Sequence, residues 1–189
     1  CSSRTRGTIN FMLHLPNVTL IAVSSVDLSG TDLALQISSH DIEFAAIKFL
    51  SSEEWVPSSA KIQMVRIPRL DIVGYSQFIL GDLYKYVETE YCLVVQSDGF
   101  VLNANKWNPI FLEYDYIGAP WPMDLKLQPG NITLDLTRNS VGNGGFSLRS
   151  KRLLQETAKI NFHELSFPTK SEDLILCHFL FQEMLNAGV

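Results

Sequence analysis

The sequence predicts an α/β protein whose central sheet is mostly parallel and is flanked by helices. In the first half of the chain, short runs rich in β-branched and aromatic residues alternate with longer amphipathic segments, which favours strands joined by helices. The apolar run at 91–95 is short and is followed by polar residues, which is typical of a buried strand. The 189 residues suffice for one domain with a sizeable core.

Four strands and two helices are predicted in this first half. The strands are short and bounded by turn-forming residues: 18–23, 42–49, 62–67 and 91–95. The first helix, 31–39, has Asp32 in its first turn, where an acid suits the helix dipole. The second helix, 75–87, shows apolar residues at helical spacing, and Ser76 is a candidate for its cap.

The second half of the chain contains fewer regular elements. In chain order we predict a short helix at 107–111, capped by Asn105, and a loop-like insert at 123–138. A glycine-rich turn that runs into a strand follows at 141–150, then a helix at 151–159 and a long apolar helix at 172–185. Residues 1–15 are expected to be a polar lead-in to the single domain.

Charge and cysteine content exclude some classes of protein. A net charge of −5 argues against a general nucleic-acid-binding protein, which would usually be basic. No apolar run approaches the roughly 20 residues that are needed to span a bilayer. The three cysteines have no metal-binding spacing, and their low, odd number favours a reducing compartment, the cytoplasm. Cys92 and Cys177 are expected to be buried thiols.

An acid follows the predicted buried strand 91–95, in the stretch VVQSDGF at 94–100. A carboxylate at the carboxyl end of a buried strand costs free energy unless it has a partner, and ligands of open α/β sheets bind at this edge. Asp98 is therefore either a cap of the next turn or a ligand of Mg²⁺ or Mn²⁺, which bind carboxylates and phosphate oxygens. Gly99 would allow the backbone to approach such a ligand closely.

A glycine-rich turn and a pair of acids are two further candidate features. Residues 142–145 form either a plain tight turn or a nest of N–H groups for an anion, and Asn143 can both donate and accept hydrogen bonds. Glu172 and Asp173 either complement the dipole of a helix or act on a substrate, one as a general base and the other as a hydrogen-bond acceptor.

The aromatic stretch YDYIGAPW, at 114–121, also has two interpretations. Its rings can simply pack around a proline bend. Alternatively, Trp121 stacks on the apolar face of a sugar while Asp115 accepts hydrogen bonds from the sugar hydroxyls.

Four segments together resemble a largely uncharacterised domain family placed among the GT-A glycosyltransferases, which use nucleotide-diphospho-sugars. They are EYCLVVQSDGFVLN, WNPIFLEYDYIGAPW, VGNGGFSLRSKRLL and SEDLILC, in this order along the chain. The resemblance extends back through YSQFILGDLYKYVETEY and LPNVTLIAV. It implies a Rossmann-like GT-A fold and an enzyme of the hexosyltransferase type, which transfers a sugar from a nucleotide-sugar donor to a hydroxyl acceptor on a glycan or another molecule.

The resemblance also implies roles for individual residues. Asp98 stands where GT-A enzymes carry a metal-binding acid, although their usual Asp-x-Asp is here Gln96-Ser97-Asp98. Asp173 is the implied base on the acceptor hydroxyl, with Glu172 beside it, so that the sugar is transferred with inversion. The full set of candidate donor- and acceptor-binding residues is Ala22, Ser24, Asp27, Ser97, Asp98, Gly99, Asp115, Trp121, Asn143, Gly144 and Gly145.

Two departures from the family pattern keep other functions open. The single acid at the metal position is one. The other is that relatives continue into a histidine-bearing segment, so we expect the C-terminal part of the family domain to be missing from this chain. A non-catalytic domain that binds a sugar or a nucleotide is the first alternative. A structural module whose acids are only caps is the second.

Overall fold

The computed structural model describes residues 12–123, 125–127, 132–134, 136–137, 139–162 and 166–189. It confirms the α/β class. Strands β1 to β8 are, in order, Leu13–Val23, Ile42–Ser51, Ile62–Arg66, Tyr91–Val94, Tyr116–Gly118, Lys126–Leu127, Ile132–Thr133 and Ser147–Ser150. Helices α1 to α5 are Leu28–Ser38, Ile72–Gly81, Lys151–Thr157, Glu172–Leu174 and Phe181–Asn186.

Six of these strands form one mostly parallel sheet, in the order β3-β2-β1-β4-β8-β5. The first four in this order are parallel, and β8 runs antiparallel to β4 and to β5. Strands β2 and β3 are added on one side of β1, whereas β4 lies on its other side. The direction of winding therefore reverses between β1 and β4, which creates a topological switch point at the carboxyl ends of these two strands.

The strands are apolar because both faces of the sheet are covered. Leu20 and Ile21 are neighbours in β1 that point to opposite faces, and both are fully buried. Leu20 packs in the cluster that contains Leu35 of α1, while Ile21 packs in the cluster that contains Phe78 of α2 and Leu154 of α3. None of the described helices is long and apolar enough to cross a membrane.

Helices α1 and α2 begin earlier in the chain than predicted, because an acid that precedes each helix caps it. Asp27 accepts a hydrogen bond from the N–H of Gly30 at 3.0 Å, so α1 begins at Leu28 and not at residue 31. Asp71 caps α2 in the same way through Gly74 at 2.7 Å, which makes the prediction of Ser76 as the cap wrong. Asp32 is buried inside α1.

Two predicted long helices are divided. The helix predicted for 75–87 ends at Gly81, and a 3₁₀ helix, Leu83–Tyr86, follows it. The helix predicted for 172–185 consists of α4, a π-helical turn, Ile175–Phe179, and α5. Asn139 donates a hydrogen bond from Nδ2 to the carbonyl of Cys177 at 2.8 Å, inside the π-helical turn, and this contact from a distant segment favours the local irregularity.

Three smaller predictions need correction as well. The short helix predicted for 107–111 is two 3₁₀ turns, Ala104–Lys106 and Pro109–Glu113, which Asn103 and Asn108 cap instead of Asn105. The insert contains the hairpin of β6 and β7, and parts of it lie outside the described residues. Strand β1 begins inside the predicted lead-in 1–15, of which residues 1–11 lie outside the described part.

The two described cysteines are free thiols, as predicted. Cys92 lies in β4 and Cys177 in the π-helical turn, and both are buried. Burial raises the pKa of each thiol to about 12, so both remain protonated at neutral pH.

The cap of α1 gives a stability prediction. Replacing Asp27→Ala removes the acceptor for the Gly30 N–H and should lower the free energy of unfolding by about 1 kcal/mol, measured by urea denaturation. Asp27→Asn retains a side-chain oxygen, so it should lower the free energy of unfolding by only about a few tenths of a kcal/mol. Equal unfolding midpoints for the alanine variant and the original chain would contradict the assignment of Asp27 as the cap.

Candidate functional site

An open cleft of about 820 Å³ lies at the switch point between β1 and β4. The segment after β1, residues 23–27, forms one side, and residues 96–98 after β4 form another. The lining is completed by the start of α2, the glycine-rich turn, the residues from Lys170 to Asp173, Thr31 and Trp121. Ligands of open α/β sheets bind at this position, so the topology and the cleft indicate the same site.

The cleft brings together most of the residues that the sequence singled out. Ten of them line it: Ser24, Asp27, Ser97, Asp98, Trp121, Asn143, Gly144, Gly145, Glu172 and Asp173. Three others do not. Ala22 is fully buried within β1, and Gly99 and Asp115 are absent from the described lining residues.

Gly99 closes a tight turn behind Asp98. The N–H of Gln96 donates to the carbonyl of Gly99 at 2.9 Å, and the N–H of Gly99 donates back at 3.1 Å. A Cβ on Gly99 would lie 3.1 Å from that of Phe146. Glycine therefore allows this turn to pack closely against Phe146, whereas the sequence had indicated a close approach to a ligand.

Asp115 stabilises the junction between β8 and α3 and does not face the cleft. Its carboxylate accepts hydrogen bonds from the Ser150 hydroxyl and from Arg152, with which it forms an ion pair. The N–H of Ser150 donates to the Asp115 carbonyl at 2.9 Å. The predicted sugar contact therefore remains only for Trp121.

Close contacts and backbone conformation determine which residues the glycine-rich turn can contain. A Cβ on Gly142 would lie 1.8 Å from Nε1 of Trp121, and one on Gly145 would lie 2.4 Å from Oε1 of Gln96. Asn143 adopts the left-handed conformation, with φ of 54°. This turn precedes β8, which is antiparallel to β4, and so it reaches the same edge of the sheet as Asp98.

The turn binds an anion, but this anion is a side chain of the protein. The N–H of Gly144 donates to Oδ2 of Asp173 at 3.1 Å, and the N–H of Leu174 donates to Oδ1 at 2.8 Å. Asp173 is only 4% exposed, although it lines the cleft. The predicted anion-binding turn therefore holds the predicted catalytic acid in one orientation.

Arg149 is a residue next to the cleft that the sequence reasoning missed. It lies in β8 and is fully buried, and its Nη2 forms an ion pair with Oε1 of Glu172 at 2.7 Å. It also donates to Oγ of Ser147 at 2.9 Å and to the carbonyl of Gly144 at 3.3 Å, and the Tyr116 ring lies 5.2 Å from its guanidinium carbon.

The charge of Arg149 persists despite its burial. Burial alone lowers its pKa, but the interactions with Tyr116 and Glu172 outweigh this effect, so the pKa is raised. Ser147 and Arg149 are two residues apart in a strand and share a face. An arginine on an inward face needs an acid partner, and this requirement is a signal in the sequence, although it does not identify which acid the partner is.

Tyr75 and Gln96 form a second polar contact that the sequence did not reveal. Nε2 of Gln96 donates to the Tyr75 hydroxyl at 2.9 Å, which connects α2 to the turn after β4. Burial, and next the negative charge of Glu172, raise the pKa of Tyr75 to about 12. The phenol is therefore neutral at physiological pH and has its own hydrogen to donate in the cleft.

Asp98 makes no hydrogen bond or ion pair with the described residues, and it is exposed. Because water solvates it, the carboxylate needs no structural partner. The described residues contain no group of three or more His, Cys, Asp or Glu side chains that would hold a metal by themselves. One carboxylate still fits Mg²⁺ or Mn²⁺ in the mode in which phosphates and water supply the other ligands.

One protein family matches the chain, and its description is "Protein of unknown function (DUF5672)". The match covers residues 61–187, which is more than half of the chain. The chain belongs to this family. The part matched by DUF5672 includes α2, β4, the glycine-rich turn and α4, whereas β1 and Asp27 precede it. No curated protein matches the chain.

The close contact above Gly144 gives a mutational prediction within the DUF5672 match. A Cβ at this position would lie 1.9 Å from Oε1 of Glu172 and 2.7 Å from Nη2 of Arg149, so Gly144→Ala should cost about 1–3 kcal/mol of stability. Gly81→Ala is the matched control, because nothing lies within 4 Å of its Cβ position in α2. It should stabilise the protein by about 0.5–1 kcal/mol. Similar effects of both changes on the melting temperature would contradict the packing described here.

The raised pKa of Tyr75 predicts a dependence of stability on pH. Between pH 10.0 and about 12, the unfolded chain releases this proton while the folded protein retains it. The titration of Tyr75 should therefore leave the free energy of unfolding unchanged below pH 10.0. The free energy of unfolding should then fall as the pH rises from 10.0 to about 12. Tyr75→Phe should show a smaller fall in urea denaturation. Identical pH profiles of the two proteins would show that Tyr75 titrates like a free phenol.

Proposed function

We propose that the protein is a glycosyltransferase of the GT-A type, which transfers a sugar from a nucleotide-sugar donor to a hydroxyl acceptor with inversion. The observation that carries the proposal is the convergence at the switch point. An exposed acid after β4, a glycine-rich turn and a buried acid pair on α4 line one cleft, although up to 75 residues separate them in sequence. Rossmann-like sheets bind nucleotides at such a position.

In this proposal the donor lies across the carboxyl ends of β1 and β4. The nucleoside contacts Ser24 and Asp27, and the diphosphate lies next to Ser97 and Asp98. Asp98 would hold a divalent cation, which supplies positive charge to the departing diphosphate when it is bound.

The donor sugar and the acceptor then lie between Trp121 and the glycine-rich turn. The indole of Trp121 offers an apolar surface to a sugar ring, while Asn143 offers both a donor and an acceptor of hydrogen bonds to the sugar hydroxyls. The contacts of Gly142 and Gly144 with their neighbours leave no room for side chains there, so the turn presents its backbone to the cleft.

Asp173 is the proposed general base. Two backbone N–H groups orient its carboxylate, and a carboxylate has about four lone-pair positions, so positions remain for an acceptor hydroxyl. The acceptor oxygen attacks the anomeric carbon, its proton passes to Asp173, and the bond between the anomeric carbon and the diphosphate oxygen breaks. The diphosphate leaves with the electron pair, and one displacement inverts the configuration.

Glu172 and Arg149 have supporting roles in the same reaction. Arg149 neutralises Glu172 and holds its carboxylate at the cleft surface, where a second acceptor hydroxyl can donate to the remaining lone pairs. Since Arg149 is below the surface, it acts through Glu172 and Gly144 and is a positioning residue.

A non-catalytic domain that binds a nucleotide or a sugar is the second candidate function. The specific observation in its favour is that both acids of the pair already have protein partners, Arg149 for Glu172 and Gly144 for Asp173. In a binding domain these contacts would serve only to shape the cleft. The cleft argues against a purely structural module, because such a module does not need exposed acids at a switch point.

The first experiment tests the donor site. Thermal unfolding is measured with UDP, GDP, CMP and dTDP, each with and without Mn²⁺. A nucleotide at 100 times its Kd should add about 2.7 kcal/mol of stability. Asp98→Asn should reduce the Mn²⁺-dependent part of this gain. Asp41→Asn is the control, because Asp41 lies at the start of β2 and therefore at the opposite end of the sheet. It should leave the Mn²⁺-dependent gain unchanged. No stabilisation by any nucleotide would refute the donor site.

The second arm of the test separates catalysis from binding. Asp173→Asn preserves the shape of the side chain but removes the base, so sugar transfer should fall by about 10²–10⁴-fold. Binding of the nucleotide should change little, and circular dichroism should show an unaltered fold. Nucleotide binding without transfer to any acceptor in the original chain would favour the binding domain over the enzyme.

A further inference from the structure

The cleft has a strong excess of negative side chains. Five acids line it, namely Asp27, Asp71, Asp98, Glu172 and Asp173. Among the described lining residues, Lys170 is the one that carries a positive charge. Arg149 is buried beneath the surface and is already paired with Glu172. A diphosphate entering this cleft therefore meets repulsion unless cations offset it.

Lys170 is available because its neighbouring acids have other partners. It lies two residues before Glu172 and three before Asp173. Elsewhere in the chain such spacing produces ion pairs, as between Lys85 and Asp82. Glu172 is held by Arg149, and Asp173 by the glycine-rich turn. Consequently Lys170 makes no ion pair with any described carboxylate, and its side chain is exposed at the cleft.

The backbone at Lys170 is anchored although its side chain is exposed. The hydroxyl of Ser76, which is buried in α2, donates to the carbonyl of Lys170. The N–H of Ser171 donates to Oγ1 of Thr169 at 3.1 Å. These two bonds fix the point from which the lysine side chain extends, and both involve main-chain atoms that a substitution at Lys170 retains.

We propose that Lys170 binds the diphosphate of a nucleoside diphosphate in the cleft. Its ammonium group supplies positive charge directly, whereas Asp98 can do so only by binding a cation. This inference rests on the proposed function and names the residue that recognises the leaving group. As the bond to the anomeric carbon breaks, negative charge grows on the diphosphate oxygen. The ammonium group then stabilises the departing group more strongly than it stabilises the bound donor.

The test compares diphosphates with monophosphates. Isothermal titration in the presence of Mn²⁺ with UDP, UMP, GDP, GMP, dTDP, dTMP and inorganic pyrophosphate is performed on the original chain and on Lys170→Met. Loss of the charge-assisted contact should weaken binding of the preferred diphosphate about 10- to 100-fold. The matching monophosphate should lose much less. Lys170→Arg should retain most of the affinity, since it preserves the charge.

Lys159→Met is the matched control, because it removes the same charge from an exposed lysine that pairs with Glu156 away from the cleft. It should leave all affinities unchanged. If Lys170→Met binds the diphosphates as tightly as the original chain, the inference is wrong while the proposed function stands. If both phosphate classes weaken equally, Lys170 contributes only to the general field of the cleft, and the inference is likewise wrong. If neither the nucleoside diphosphates nor pyrophosphate bind the original chain, both proposals fail.

Discussion

The buried ion pair between Arg149 and Glu172 is the interaction on which the cleft depends. An arginine with no exposed surface is tolerated only when its charge is paired, and removal of one partner of such a pair costs about 3–5 kcal/mol. The pair joins β8 to α4, and the same guanidinium donates to the carbonyl of Gly144. Since the Glu172 carboxylate lies directly over Gly144, a glycine is the one residue that fits there. The position of Asp173 follows, because it is bonded to the N–H of that glycine.

This constraint divides the charges of the site into two groups. Glu172, Asp173 and Arg149 are buried or nearly so, and each has a protein partner at fixed distance. Asp98 and Lys170 are exposed and form no ion pair within the described part of the chain. Preorganised groups suit the reacting centre, where misplacement by an ångström is costly. Exposed charges suit a ligand that brings its own charge and counter-ions, such as a diphosphate.

The sequence predicted the strands well, because β-branched residues that pack on both faces of a sheet leave a strong local signal, as at Leu20 and Ile21. Most of the candidate site residues that it singled out also line the cleft. It failed where long-range contacts decide. The π-helical turn at Cys177 accepts a hydrogen bond from the distant Asn139, and the partner of Arg149 is an acid 23 residues away. Asp115 was misassigned for the same reason, since the sequence near an acid does not reveal that Ser150 and Arg152 will pair with it.

The segment between Trp121 and the end of the glycine-rich turn shows how these contacts reinforce one another. The N–H of Trp121 donates to the carbonyl of Ser140, and Asn139 donates to Cys177 in the π-helical turn. The indole of Trp121 packs on Gly142, and Gly144 binds Asp173. The turn is thus held on one side by the aromatic residue proposed to contact a sugar and on the other by the helical segment that carries the acids. A ligand that displaces Trp121 would therefore disturb the turn that binds Asp173, which would couple the proposed sugar contact to the orientation of the proposed base through the backbone of residues 139–145.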